Sequence, residues 1–164
     1  MSQNTIESTK KPKLVNHGSF IVERTYPQAP ARVFFALADE ASARRWRAEG
    51  EGFTVDEFKV DFRVGGKEVS RFRHQGGPQI QLDAVFHDII PDQRIIFSSR
   101  MGIGPQPISV TLNTVELTPT GKGTLLKYTE QGVYFDDGEM LAGREAGTRE
   151  LLEKLAVELQ NAHK

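Results

Sequence analysis

Glu68 and Glu130 are the side chains in this chain of 164 residues whose setting most suggests chemistry. Counting a strand's two-residue alternation on from Gly65-Gly66 puts Glu68, Ser70, Phe72 and His74 on one face. The same count along a later stretch groups Thr124, Leu126, Tyr128 and Glu130. A carboxylate among apolar neighbours must be paired, hydrated or protonated, because burying a lone charge is costly. Arg144, on or near the apolar stripe of the last helical stretch, is the counter-ion on offer. Together the three could orient a polar ligand, or one carboxylate could act as a general base. The competing account is structural: a position at the wet rim of a sheet, or an ion pair that only holds the fold. A single bulge would flip the strand phase and decide between them.

Other reactive patterns are missing. His17, His74, His87 and His163 show no His-x-His or Glu-x-x-His spacing, so surface positions are expected and no metal site. No Gly-x-Ser-x-Gly elbow supports a nucleophilic serine. Gly65-Gly66 and Gly102–Gly104 lack a phosphate-loop pattern and are expected to be turns; no cofactor is called for. With no cysteine there is no disulfide framework and no thiolate zinc site. The net charge is -1 with scattered basic residues, which argues against nucleic acid as a partner. No apolar run approaches the ~20 residues of a bilayer span, and no secretory pattern opens the chain, so a cytoplasmic location without membrane insertion is expected.

The elements that must position these groups are legible in the period of the pattern. Glu139–Gln160 is the longest helical stretch, about 30 Å long at the usual rise per residue. Leu141, Thr148, Leu152, Leu155 and Leu159 share one face, while Glu145–Arg149, Arg149–Glu153 and Glu150–Lys154 are opposite charges four apart, suited to the other. Residues 1–18 are polar and aperiodic, the composition of a disordered leader before a single domain over residues 19–164. Ser19–Tyr26 alternates as a first strand; Pro30 opens a short helix, and Asp39–Arg47 forms a second that ends beside Trp46, the sole tryptophan. Strands are expected over Phe53–Phe62, Lys67–His74, Ile80–Phe86, Arg94–Met101, Ile108–Leu117 and Thr124–Gln131, with Gly102–Pro107 as a connection. Short turns between them make an antiparallel meander, and a helix across one face would leave the other wet.

This order, with Pro30–Phe34, Trp46, Asp61–Gly66, Ala84–Pro91, Arg94–Phe97 and Gly123-Thr124, resembles the helix-grip fold of the START/polyketide-cyclase superfamily. Within it, the likeness is to proteins similar to the C-terminal domain of the activator of the Hsp90 ATPase. The resemblance implies an α+β domain, a curved antiparallel sheet of about seven strands around the last helix, with a cavity between. Members of the family often carry a Gly-Trp pair in that helix; Gly147-Thr148 stands here, so the pocket or its lid should differ.

The expected pocket is mostly apolar, with few polar groups, as small-molecule sites are. Its candidate wall comprises Trp46, Glu68, Ser70, Phe72, Leu82, Phe86, Phe97, Tyr128, Glu130, Arg144 and Thr148, with Ile80, Ala84 and Ser99 as neighbours. Trp46 and the stretch Tyr134–Gly138 are candidate gates; core anchoring is the alternative for Trp46, and capping of the last helix for Asp136 and Asp137. The function expected is binding of a small apolar or amphipathic molecule. Alternatives are a cyclase- or isomerase-like enzyme using a cavity carboxylate as base, and a co-chaperone or stress-response domain contacting a chaperone. Homodimerisation through a sheet edge or the last helix is also open.

Overall fold

The computed structural model describes residues 14–135 and 139–161. Its elements run β1 (Asn16–Tyr26), α1 (Pro30–Ala38), α2 (Glu40–Arg47), β2 (Phe53–Val60), β3 (Lys67–His74), β4 (Ile80–Ile90), β5 (Arg94–Ile103), β6 (Gln106–Thr120), β7 (Gly123–Tyr134) and α3 (Glu139–Gln160). All seven strands join one antiparallel sheet in the order β1-β7-β6-β5-β4-β3-β2. The strand, two short helices, six strands and long helix expected from the sequence are all present.

Local chemistry explains where the elements start and stop. Pro30 supplies a fixed φ at the first position of α1, which has no side-chain cap. Asp39 separates α1 from α2 and caps the second helix, its carboxylate accepting the Ser42 amide at 3.0 Å. The Asp61–Gly66 turn reconnects to the sheet by backbone bonds between Gly65, Gly66 and Phe86. At Gly65 φ is +81°, and a Cβ on Gly66 would collide with the Asp61 carbonyl, so both positions demand glycine.

Some boundaries differ from expectation. β1 begins at Asn16 rather than Ser19, because Asn16, His17 and Gly18 pair with Tyr134, Val133 and Gly132 of β7. The remainder of the expected leader, residues 1–13, lies outside the described residues. The expected Gly102–Pro107 connection is mostly strand: Gly102 faces Pro107 and Ile103 faces Gln106, leaving only Gly104 and Pro105 to turn. A register shift between Met101 and Gly102 accommodates the irregular backbone there.

The core lies where α3 crosses the inner face of the sheet. Leu152, Leu155 and Leu159 meet Val22 of β1, Val115 and Leu117 of β6, and Leu126 of β7, with Val33 and Ala36 of α1 closing one end. Buried polar groups tie the helix down. The Tyr26 hydroxyl donates to the Leu152 carbonyl at 2.8 Å. Glu158, only 3% exposed, accepts from Ser42 Oγ at 2.8 Å and from Arg45 Nη2 at 2.7 Å, joining α3 to α2. On the wet face, Glu145–Arg149 is made at 3.4 Å. Glu153 instead bonds Arg24 of β1, and the Lys154 ammonium sits 4.5 Å from the Phe53 ring centroid. Contacts to the sheet thus replace two of the three pairings that helix spacing alone suggests.

Candidate functional site

Between the sheet and α3, where the leucine packing gives way to smaller side chains, lies a cavity of about 280 Å³. Strand register assembles its wall as rungs of opposed side chains. One rung runs Glu68, Ala84, Ser99, Thr111 across β3 to β6. The next runs Ser70, Leu82, Met101, Ser109, Tyr134. On the other side Phe86, Phe97, Asn113 and Glu130 align. A bulge at His87 shifts the phase of β4 just beyond Phe86, so the count that placed Leu82, Ala84 and Phe86 inward holds only up to that point.

Trp46, Glu68, Ser70, Phe72, Leu82, Phe86, Phe97, Tyr128, Arg144 and Thr148 all line the cavity. Glu130 does not. It is 1% exposed and stands behind Arg144, accepting from Arg144 Nη2 at 2.9 Å and from the Tyr134 hydroxyl at 2.7 Å. Arg144 also donates to Ser109 Oγ at 2.7 Å. The carboxylate that Arg144 neutralises is therefore Glu130, and the partner of Glu68 is Arg47, the last residue of α2. The Arg47 guanidinium lies 5.6 Å from the Trp46 ring and 5.3 Å from that of Phe58.

Two closed ion pairs thus bracket a neutral polar chain. The Tyr128 hydroxyl donates to Asn113 Oδ1 at 2.9 Å, Asn113 Nδ2 donates to Thr111 Oγ1 at 3.0 Å, and the Ser99 and Thr111 hydroxyls bond at 2.8 Å. Burial pushes the Tyr128 phenol well above its ordinary value, and the nearby Glu130 adds to this. Burial does the same to Tyr134, reinforced by its bond to Glu130. Each carboxylate is engaged by a guanidinium and neither stands free as a base.

Trp46 forms wall rather than gate: it is 7% exposed and its indole N–H donates to the Ala36 carbonyl at 2.9 Å. Of the other gate candidate, Tyr134 is buried in the Glu130 cluster and Phe135 is exposed, while residues 136–138 lie outside the described residues. His74 does not continue the inward face of β3. It is exposed at the rim, its ring 4.6 Å from that of Phe53. His17 and His87 are exposed too, with His87 beside Ser98 Oγ at 2.7 Å. His163 lies outside the described residues.

Sequence reasoning missed Arg47, Asn113, Met101, Phe58 and Phe62 among the lining side chains. Asn113 and Thr111 were hidden because β6 inverts the usual pattern over part of its length. There Val110 and Leu112 are exposed, while Ser109, Thr111 and Asn113 are buried. Counting back by twos from Val115 would have found them.

Among the described residues no three potential metal ligands converge, and no helix is long and apolar enough to cross a membrane. A seven-stranded antiparallel sheet gripping a C-terminal helix over a cavity defines the helix-grip class. The chain belongs to the family described as Activator of Hsp90 ATPase homolog 1-like protein, whose model matches residues 28–160. Among solved structures, the Mll3558 protein from Rhizobium loti is 62% identical, with a TM-score of 0.82 over 88% of this chain and 99% of that one. A protein from Rhizobium leguminosarum is 31% identical, with a TM-score of 0.86 over 92% and 99%. Protein CV1439 from Chromobacterium violaceum, 24% identical over 87% and 97% with a TM-score of 0.73, shares the fold. No curated protein matches the chain.

Proposed function

We propose that this protein is a binding protein for a small, largely apolar molecule held between the sheet and α3. The observation that carries this reading is the cavity itself. Its volume of about 280 Å³ lies just below the roughly 300–1,000 Å³ common for small-molecule sites, which suits a compact ligand rather than a long lipid. Its wall is dominated by aromatic and aliphatic side chains, and small groups on α3 leave it room. Thr148 lines it, and a Cβ on Gly147 beside it would meet nothing within 4 Å. Pairing of Glu68 with Arg47 and of Glu130 with Arg144 favours binding over a base-catalysed reaction.

The test is thermal unfolding against a panel of compact cyclic compounds. A ligand present at a hundred times its Kd should stabilise the fold by about 2.7 kcal/mol. A panel that leaves the melting temperature unmoved throughout would count against the cavity as a ligand site. A second reading, contact with a chaperone, rests on the family description and on Val110, Leu112 and Ile21, which are exposed on the outer face. Stimulation of Hsp90 ATPase activity by the purified protein, lost on Val110→Asp, would favour it.

A further inference from the structure

Charge and hydrogen-bond accounting in the cavity constrain what can fill it. The charged side chains in its wall are Arg47, Glu68 and Arg144, and Arg144 is neutralised from behind by Glu130. The site is therefore neutral as built. A bound carboxylate would add an uncompensated charge beside Glu68, and an ammonium would sit against two guanidiniums; both are costly in a largely apolar enclosure.

Donors, by contrast, are in surplus. Only Nη2 of Arg47 is engaged, by Glu68; Nη1 makes no hydrogen bond among the described residues, and Nε is buried without a partner. The Ser70 hydroxyl, on a residue 4% exposed, and the Thr148 hydroxyl, on a residue 8% exposed, stand in the same wall as further donors. Ser70 follows Glu68 by two on the same face of β3 and opposes Phe58, the ring against which Arg47 lies. Arg47 and Ser70 thus form one donor corner of a largely apolar wall.

Resting on the binding reading above, we infer that the ligand is an uncharged cyclic molecule carrying an acceptor oxygen of the ketone or amide kind, docked on Arg47 and Ser70. The guanidinium needs an acceptor to complete its hydrogen bonding, and a neutral oxygen supplies one without disturbing the Arg47–Glu68 pair. The remaining aromatic wall takes the ring system.

Three probes of one shape separate the possibilities: acetylnaphthalene, ethylnaphthalene and naphthoate, each titrated calorimetrically into the full-length protein at neutral pH. The ketone should bind about tenfold or more tightly than the hydrocarbon, the gain expected of a hydrogen bond from a charged donor. Naphthoate should bind more weakly than the ketone. In the paired variant Arg47→Gln, Glu68→Gln, which keeps the cavity neutral, the preference for ketone over hydrocarbon should shrink to about threefold, the gain of a neutral donor in place of a charged one. Should that variant fail to fold, the ranking on the unaltered protein decides alone. Equal affinity for ketone and hydrocarbon, or tighter binding of naphthoate, would overturn the inference while leaving the binding reading intact. If none of the three binds, the inference falls, and the wider thermal panel decides the binding reading.

Discussion

Arg144 has three roles at once, giving Glu130 its counter-ion, Ser109 a donor and the cavity part of its wall. Removing it strands a carboxylate that is 1% exposed. Arg144→Met should therefore cost about 3–5 kcal/mol in urea unfolding, the scale for breaking a buried pair. The double variant Arg144→Met, Glu130→Gln should recover most of that loss, since no lone charge is left behind. A single variant as stable as the parent would show that the pair contributes nothing. The tyrosines carry a pH prediction. All three in the chain, Tyr26, Tyr128 and Tyr134, are pushed above the ordinary 10.0, with burial the leading cause in each. A raised folded-state value stabilises the fold fully below about pH 10, and that contribution is lost as pH climbs through the folded values. Tyrosinate absorbance should thus appear above pH 10, together with loss of the fold. Independent titration at about pH 10 with the fold intact would contradict this.

At the scale of elements, two glycines face each other across β1 and β7, Gly18 opposite Gly132. A Cβ on Gly132 would come within 2.6 Å of Thr111 Cγ2 and 2.7 Å of the Val110 carbonyl, neither of which can swing away. A Cβ on Gly18 meets Leu141, the mobile end of a flexible side chain, at 2.5 Å. Gly132→Ala should therefore destabilise by about 1–3 kcal/mol, and Gly18→Ala by less, in parallel chemical unfolding curves. The opposite ranking would mean that the helix, not the sheet, is the stiff partner. In α3, Thr148→Trp should fill the space beside Gly147 and abolish ligand-induced stabilisation while leaving the unfolding of the unliganded protein cooperative. Retained stabilisation would place the ligand elsewhere.

At the scale of the molecule, the elements and their order follow from turn chemistry and periodicity, because Pro30, Gly65-Gly66 and the alternating strands each act locally. The inner faces of β4 and β7, and of β3 as far as Phe72, were legible for the same reason. Partner choice was not. Glu68 takes Arg47 rather than Arg144, and Glu153 takes Arg24 rather than Arg149, because these pairings depend on how α2, α3 and the sheet sit in space. Asn113 was lost for a different cause: a strand that turns its polar residues inward towards a cavity reverses the hydrophobic signal. Here the inward polar groups bond one another, Asn113 accepting from Tyr128 and donating to Thr111, and Asn113 also lines the cavity.

The most direct measurement of the central claim is native mass spectrometry on protein purified from its own host, with Thr148→Trp beside it. A stoichiometric small molecule on the parent, absent from the variant and released on denaturation, is the predicted result. A parent that is free of ligand, and remains so after incubation with its host's small-molecule extract, would contradict the account.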